Sequence, residues 1–258
     1  MAALVTGAAK RLGRAMALAL AEDGHDIAVH YAGSAEAAEE TAAEIRALGR
    51  RAVTLCADLT DEDETQALLA RAVGALGQPI TVLINNASIF EHDTIWSATR
   101  DSWDRHLDSN LRAPVVLTQA LAAQMPDAVP DENGEPQAQG LVINMVDQRV
   151  RKLTPEFMSY TIAKMGLWAF TRTAAQALAP HIRVNAIGPG PTMQGARQSV
   201  DHFTRQRQAT VLGRGADADG IVEALRYFLR ARGVTGQLIC VDGGQHLAWQ
   251  TPDILGPE

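Results

Sequence analysis

Seven short apolar runs, separated by helix-length stretches, constrain this chain more than any other feature. They lie at 2–6, 27–31, 52–56, 80–84, 141–145, 183–186 and 238–241. They are continuous rather than alternating, as parallel strands covered on both faces require. Helical patterns near 12–23, 35–48, 62–76, 102–124, 157–178 and 217–230 fill the gaps. Asp61 and Ser102 read as N-caps, and Gly24, Gly49 and Gly77 stand where helices should stop. Repeated strand–helix–strand units predict an α/β fold, a Rossmann-type doubly wound parallel sheet of about seven strands in one domain over 1–258.

Two stretches break the rhythm. Residues 126–140 are rich in proline, acids and amides, include Asn133-Gly134, and read as a surface loop inserted before the fifth strand. Residues 188–210 begin Gly-Pro-Gly-Pro-Thr and continue without strong apolar periodicity. A substrate loop or lid belongs there, after a strand's C-terminal end.

Composition narrows the class. With 258 residues, 47% of them apolar, the chain can bury a sizeable core. Acids outnumber bases, 30 to 23, for a net charge of −7. No nucleic-acid or membrane partner is therefore expected. No run approaches membrane-spanning length, and the N-terminus lacks a basic, then apolar leader. Cys56 and Cys240 are the two cysteines, with no CxxC pair, so neither a disulfide scaffold nor a cysteine zinc site is expected. Both read as buried, inert thiols. The seven histidines show no ligand spacing, and no metal is expected. His246 reads as a surface or packing residue. A cytoplasmic enzyme acting on a small molecule is the leading class.

The first run ends in Thr6-Gly-Ala-Ala-Lys-Arg-Leu-Gly13. Glycines at a strand-to-helix turn let the backbone approach a pyrophosphate, and the helix N-terminus favours its charge. Gly7, Arg11, Leu12 and Gly13 are thus candidate cofactor residues. The second strand decides between cofactors. An acid at its tip would take the ribose hydroxyls of NAD. Here the tip reads His30-Tyr31-Ala-Gly33-Ser34 with no acid, while Arg11 could reach a 2′-phosphate and Ser34 add a hydroxyl. NADPH is favoured, with His30 and Tyr31 beside it. Asp58 and Leu59 end the third strand, and Asn86, Ala87 and Ser88 follow the fourth, near the expected crevice. Alone, such Asp and Asn residues are equally turn formers.

Tyr160 and Lys164 stand four apart, on one face of a helix. A free tyrosine, with a pKa of about 10, is a poor acid–base partner, and a neighbouring ammonium stabilises its phenolate. Together with the glycine turn, the pair resembles the short-chain dehydrogenase/reductase family over essentially the whole length. Asn85-Asn86-Ala87, the segment 185–190 with Pro189-Gly190, and Val241-Asp-Gly-Gly244 extend the match. The resemblance implies proton supply by Tyr160, support from Lys164, a water-linked relay through Asn110, cofactor contacts at Pro189 and Gly190, and a homotetramer.

Two departures narrow the resemblance. Arg11 stands where the family usually has glycine, and Asp147 where it usually has serine. If ionised, Asp147 disfavours the phenolate; if burial raises its pKa, it can donate a proton. Both departures are features of pteridine reductases, which the chain also resembles at Asn86-Ala-Ser-Ile-Phe90 and Ile143-Asn-Met-Val-Asp147. That subgroup implies a pterin stacked on Phe90 and contacted by Ser88 and Arg11, with Tyr160 and Asp147 delivering the proton. Taken alone, Phe90 reads as core packing. The ending 234–247 is similar to bacterial dihydromonapterin reductases. The expected function is NADPH-dependent reduction of a pterin-like or dihydrofolate-like substrate. The alternatives are a carbonyl reductase acting on a 3-oxoacyl thioester or other ketone, and a non-catalytic dinucleotide-binding protein.

Overall fold

A computed structural model describes residues 1–195 and 198–249. The first strand, β1 (Ala2–Val5), is buried along its full length. Chain order continues α1 (Arg11–Glu22), β2 (Asp26–Tyr31), α2 (Ala35–Ala47), β3 (Ala52–Cys56), α3 (Glu62–Leu76) and β4 (Ile80–Asn85). Then come α4 (Arg100–Leu107), a π-helical turn (Asp108–Arg112), α5 (Ala113–Gln124), a small hairpin of β5 (Val129–Pro130) and β6 (Pro136–Gln137), and β7 (Gly140–Met145). The remainder is α6 (Met158–Ala177), β8 (Ile182–Pro189), α7 (Val200–Gln208), α8 (Ala218–Arg230) and β9 (Leu238–Val241).

Seven strands form one parallel sheet in the order β3-β2-β1-β4-β7-β8-β9. Its two faces bury different helices. Ala3 and Val5 of β1 join α1, α2 and α8 through Met16, Ile45 and Phe228. Ala2 and Leu4 point the other way, towards α3, α5 and α6 through Leu68, Leu117 and Ala174. This is the expected doubly wound fold. From β1 the chain goes to β2 on one side and returns at β4 on the other. The crevice at the C-terminal ends of β1 and β4 is a topological switch point.

The local expectations hold in part. Asp61 caps α3 by accepting from the Glu64 N–H at 3.0 Å. Ser102 is not an N-cap. Thr99 caps α4, and Ser102 sits three residues inside, exchanging hydrogen bonds with it in a capping box. The single helix expected near 102–124 is broken by the π turn that contains Asn110. Residues 126–140 carry the exposed hairpin β5–β6, tightened by Asp131 Oδ1 accepting from Asn133 N and Glu135 N.

The segment 188–210 contains α7, of which no residue is buried, so it lacked the apolar period that betrays a helix. Residues 196–197 of that expected substrate loop, and 250–258 of the expected domain, lie outside the described residues. Cys56 is exposed because it ends the edge strand β3; Cys240 is half-buried, and burial pushes its thiol up to about 11. Among the described residues, no helix is long and apolar enough to cross a membrane.

Candidate active site

The crevice is built from the turn upward. Gly7 has φ 61, in the left-handed region. A Cβ on Gly13 would lie 2.2 Å from the Gly7 carbonyl oxygen, so α1 can begin this close to β1 only with glycine there. Thr6 Oγ1 accepts from the N–H groups of Asn86 and Ala87, both at 2.9 Å. Asn86 Nδ2 returns to the Thr6 carbonyl at 2.8 Å. Asn86 thus laces the ends of β1 and β4 together.

His30 does the same from β2. Its Nδ1 accepts from Gly7 N–H at 3.0 Å, so its proton sits on Nε2, 3.0 Å from the Ala57 carbonyl. Burial holds this imidazole down to about 4. Tyr31, one residue on, faces the opposite side of the sheet and packs on the α1–α2 core. Ser34 stands at the N-cap of α2. Between these two residues, Ala32 joins the crevice wall.

A cavity of about 420 Å3 follows the turn, with Gly7, Lys10, Gly13, Asp58, Leu59 and Ser88 in its wall. Asp58 is oriented by Thr60, whose N–H and hydroxyl it accepts, and these bonds hold its carboxyl below the usual range. Lys10, the N-cap of α1, makes no side-chain cap bond. A dinucleotide fits this wall, with glycine backbone and helix N-terminus at one end and a fixed carboxylate at the other.

Arg11 joins this cavity to a second one of about 640 Å3 and lines both, as Leu12 does. Its backbone is left-handed, φ 56, which accounts for glycine being usual at that position in the family it resembles. Its guanidinium donates to the carbonyls of Gln194 at 2.7 Å and Met193 at 3.0 Å. Pro189 and Gly190 line the second cavity rather than the first. Gly190 is in close contact there with Asp242, which in turn accepts from the N–H and Nδ1 of His246.

Asp147 lines the second cavity, and Tyr160 and Lys164 lie buried behind it. Tyr160 donates its hydroxyl proton to Asp147 Oδ2 at 3.0 Å. Asp147 Oδ1 accepts from Arg149 N–H at 2.8 Å. Lys164 is fully enclosed, with Nζ 2.8 Å from the Met145 carbonyl and 5.7 Å from the Tyr160 ring centre. Burial dominates all three groups. It raises Asp147, pushes Tyr160 well above its ordinary value with help from the Asp147 charge, and lowers Lys164 to about 8. The Arg149 charge and then the Ser88 hydroxyl work to lower Tyr160.

Phe90 is 49% exposed. Its ring stacks on Phe157 at 4.2 Å and meets Tyr160 edge-on at 4.7 Å. The Arg149 guanidinium lies 5.0 Å over the far side of Phe157. Phe157 holds a left-handed backbone, φ 58, directly before α6. Asn110 lies in the π turn between α4 and α5. Its amide is spent on Ile89, accepting from the N–H at 2.9 Å and donating to the carbonyl at 2.8 Å. Asn110 thereby fixes the residue before Phe90. Phe157 and Arg149 were missed by sequence reasoning. A left-handed phenylalanine leaves no mark in a sequence, while Arg149 has one signal there, its place two residues from Asp147.

The sequence matches the short chain dehydrogenase family over residues 1–204. A 3-oxoacyl-[acyl-carrier-protein] reductase of Staphylococcus aureus is 33% identical over 251 residues, covering 95% of this chain and 98% of that protein. The structure of a FolM alternative dihydrofolate reductase from Brucella canis, complexed with NADP, superposes with a TM-score of 0.90 at 43% identity, covering 98% of this chain and 96% of that one. The enzyme of the same name from Brucella suis, also with NADP, gives 0.89 at 43% identity and covers 98% and 97%. The chain belongs to the short-chain dehydrogenase family and is an oxidoreductase of that family.

The His30 clamp generates a pH prediction. A histidine whose folded pKa is depressed stabilises the fold above its unfolded value and loses that contribution as pH falls towards the folded value. Between pH 6.5 and about 4 the protein should lose about 3 kcal/mol through His30. Urea unfolding of the wild type and His30→Gln across that window checks it. The difference between the two should shrink as pH falls, and a constant difference counts against the clamp.

Proposed function

We propose that the chain is an NADPH-dependent reductase of pterin-like or dihydrofolate-like substrates. The observation that carries this reading is the Tyr160–Asp147 hydrogen bond beneath the exposed Phe90 ring. The 43% identity to the Brucella enzymes supports it. Gly7, Gly13, Lys10 and Arg11 hold the cofactor's phosphates, with Arg11 favouring a 2′-phosphate; Asp58, Leu59 and Ser88 line its path. Bound NADPH supplies the hydride.

The chain's own residues supply the surface and the proton. Phe90 offers a flat apolar face to a bicyclic ring, and Arg11 and Ser88 orient its polar edge. Burial raises both Tyr160 and Asp147, and the hydrogen bond between them lets the pair act together as the acid. As a C=N bond gains hydride at carbon, the Tyr160–Asp147 pair releases a proton to the nitrogen. The Lys164 ammonium offsets the negative charge left behind. Proline, glycine and Arg11-held carbonyls at 189–194 shape the outer wall.

Reduction of a 3-oxoacyl thioester is the second reading, favoured by the staphylococcal relatives. A purely dinucleotide-binding role is disfavoured by the intact Tyr160–Lys164 pair. A homotetramer completes the proposal: Ile162 and Met165 leave an apolar strip exposed on α6. A monomer by light scattering contradicts it.

NADPH oxidation by the purified protein with dihydrobiopterin, dihydromonapterin, dihydrofolate and an acetoacetyl thioester tests the function. Pterin turnover without thioester turnover is expected; thioester turnover alone moves the chain to the second reading. Turnover should also fall as pH rises through about 8, where Lys164 loses its proton. The Asp147 charge raises Lys164, so Asp147→Asn should move this alkaline limb to lower pH. A limb that stays fixed removes Lys164 from the titration.

A further inference from the structure

Three buried polar side chains outside the Asp147–Tyr160–Lys164 group are joined in an unbroken chain. Asp93 lies in the segment after β4, His106 on α4 and Ser159 in the first turn of α6, and all three are excluded from solvent. The direction of each bond is fixed. His106 Nε2 faces the Glu91 N–H at 3.1 Å, which can only donate, so Nε2 accepts and the ring proton sits on Nδ1. Nδ1 donates to Ser159 Oγ at 2.6 Å. The Ser159 hydroxyl proton then has Asp93 Oδ2 as its acceptor, while Ser159 N–H donates to Oδ1 at 3.1 Å. The Asp93 carbonyl also accepts from Met158 N–H at 3.2 Å.

The ends of this chain touch the site through neighbours. Ser159 immediately precedes Tyr160. Glu91 immediately follows Phe90, whose other neighbour, Ile89, is held by Asn110. Phe90 is thus bracketed on both sides by groups from one helical segment, and that segment is bonded to the turn that carries Tyr160. The His106 ring also lies edge-on to Tyr160, with 6.0 Å between centres.

We propose that Asp93, His106 and Ser159 are positioning residues that set the spacing between the Phe90 face and the Tyr160 hydroxyl. None touches the reacting atoms. The inference rests on the proposed roles of Phe90 and Tyr160. His106 is the junction: its Nε2 governs the Phe90 side and its Nδ1 the Tyr160 side.

Two substitutions separate the sides. The amide nitrogen of His106→Asn falls where Nδ1 stood, so the bond to Ser159 survives and the one from Glu91 is lost. The amide oxygen of His106→Gln falls where Nε2 stood, so the Glu91 bond survives and the Ser159 bond is lost. His106→Asn should raise the KM for a pterin about fivefold with kcat within about twofold. His106→Gln should lower kcat about fivefold with KM within about twofold.

Ser159→Ala adds no bulk, keeps the packing, and should repeat the kcat loss; the NADPH dissociation constant should be unchanged in all three variants. Equal effects of the two His106 variants on kcat and KM overturn the proposal. So does wild-type kcat in Ser159→Ala, even if both His106 variants fail to fold. Running the acetoacetyl thioester alongside keeps the tests apart. If the wild type reduces only the thioester, the pterin reading fails, while the kcat arm at Tyr160 is still measured.

Discussion

A carboxyl, a phenol and an ammonium share one buried volume beside the larger cavity, and the surrounding structure serves that arrangement. Burying an isolated charge is costly, and these three groups reduce the cost by sharing it. Asp147 and Tyr160 are raised, Lys164 is drawn down to about 8, and each group's shift depends on burial before anything else. An opening of that volume to water would return all three towards ordinary values. The sheet and α6 keep it closed. β7 delivers Asp147 just past its end, α6 brings Tyr160 and Lys164 one turn apart, and the Met145 carbonyl fixes the ammonium.

The second constraint is the meeting of β1, β2 and β4 at the switch point. Thr6, His30 and Asn86 spend their side chains on backbone groups of the glycine turn and its neighbours. They shape the crevice without needing to touch a ligand. Asn110 behaves alike, as do the members of the Asp93–Ser159 chain. Much of the polar side-chain chemistry around the cavities holds backbone in place, and a smaller set of groups is left for substrate. A site with this much fixed backbone costs little reorganisation when it works.

The sequence carried the architecture because both of its signals are local. Buried parallel strands must be continuously apolar, and the seven runs match the seven strands of the sheet. The turn and the Tyr160–Lys164 pair are likewise short-range. What escaped was set by distance or backbone shape. α7 has no buried residue and so no period to read. The core contact of Tyr31 also escaped, since it follows from the two-residue alternation of β2. His30 and Asn110 were identified as site residues, but their partners lie far along the chain. Phe157 depends on a left-handed backbone that its side chain does not announce.

Asp147, hydrogen-bonded to Tyr160, stands where the family usually has serine, and the substrate preference turns on it. The ratio of kcat/KM for dihydropterin to kcat/KM for an acetoacetyl thioester, measured in the wild type and in Asp147→Ser, tests it most directly. If the buried carboxyl makes this a C=N reductase, the ratio should fall by at least about tenfold in the serine variant. A ratio that does not change would contradict the account and leave Asp147 a neutral neighbour of Tyr160.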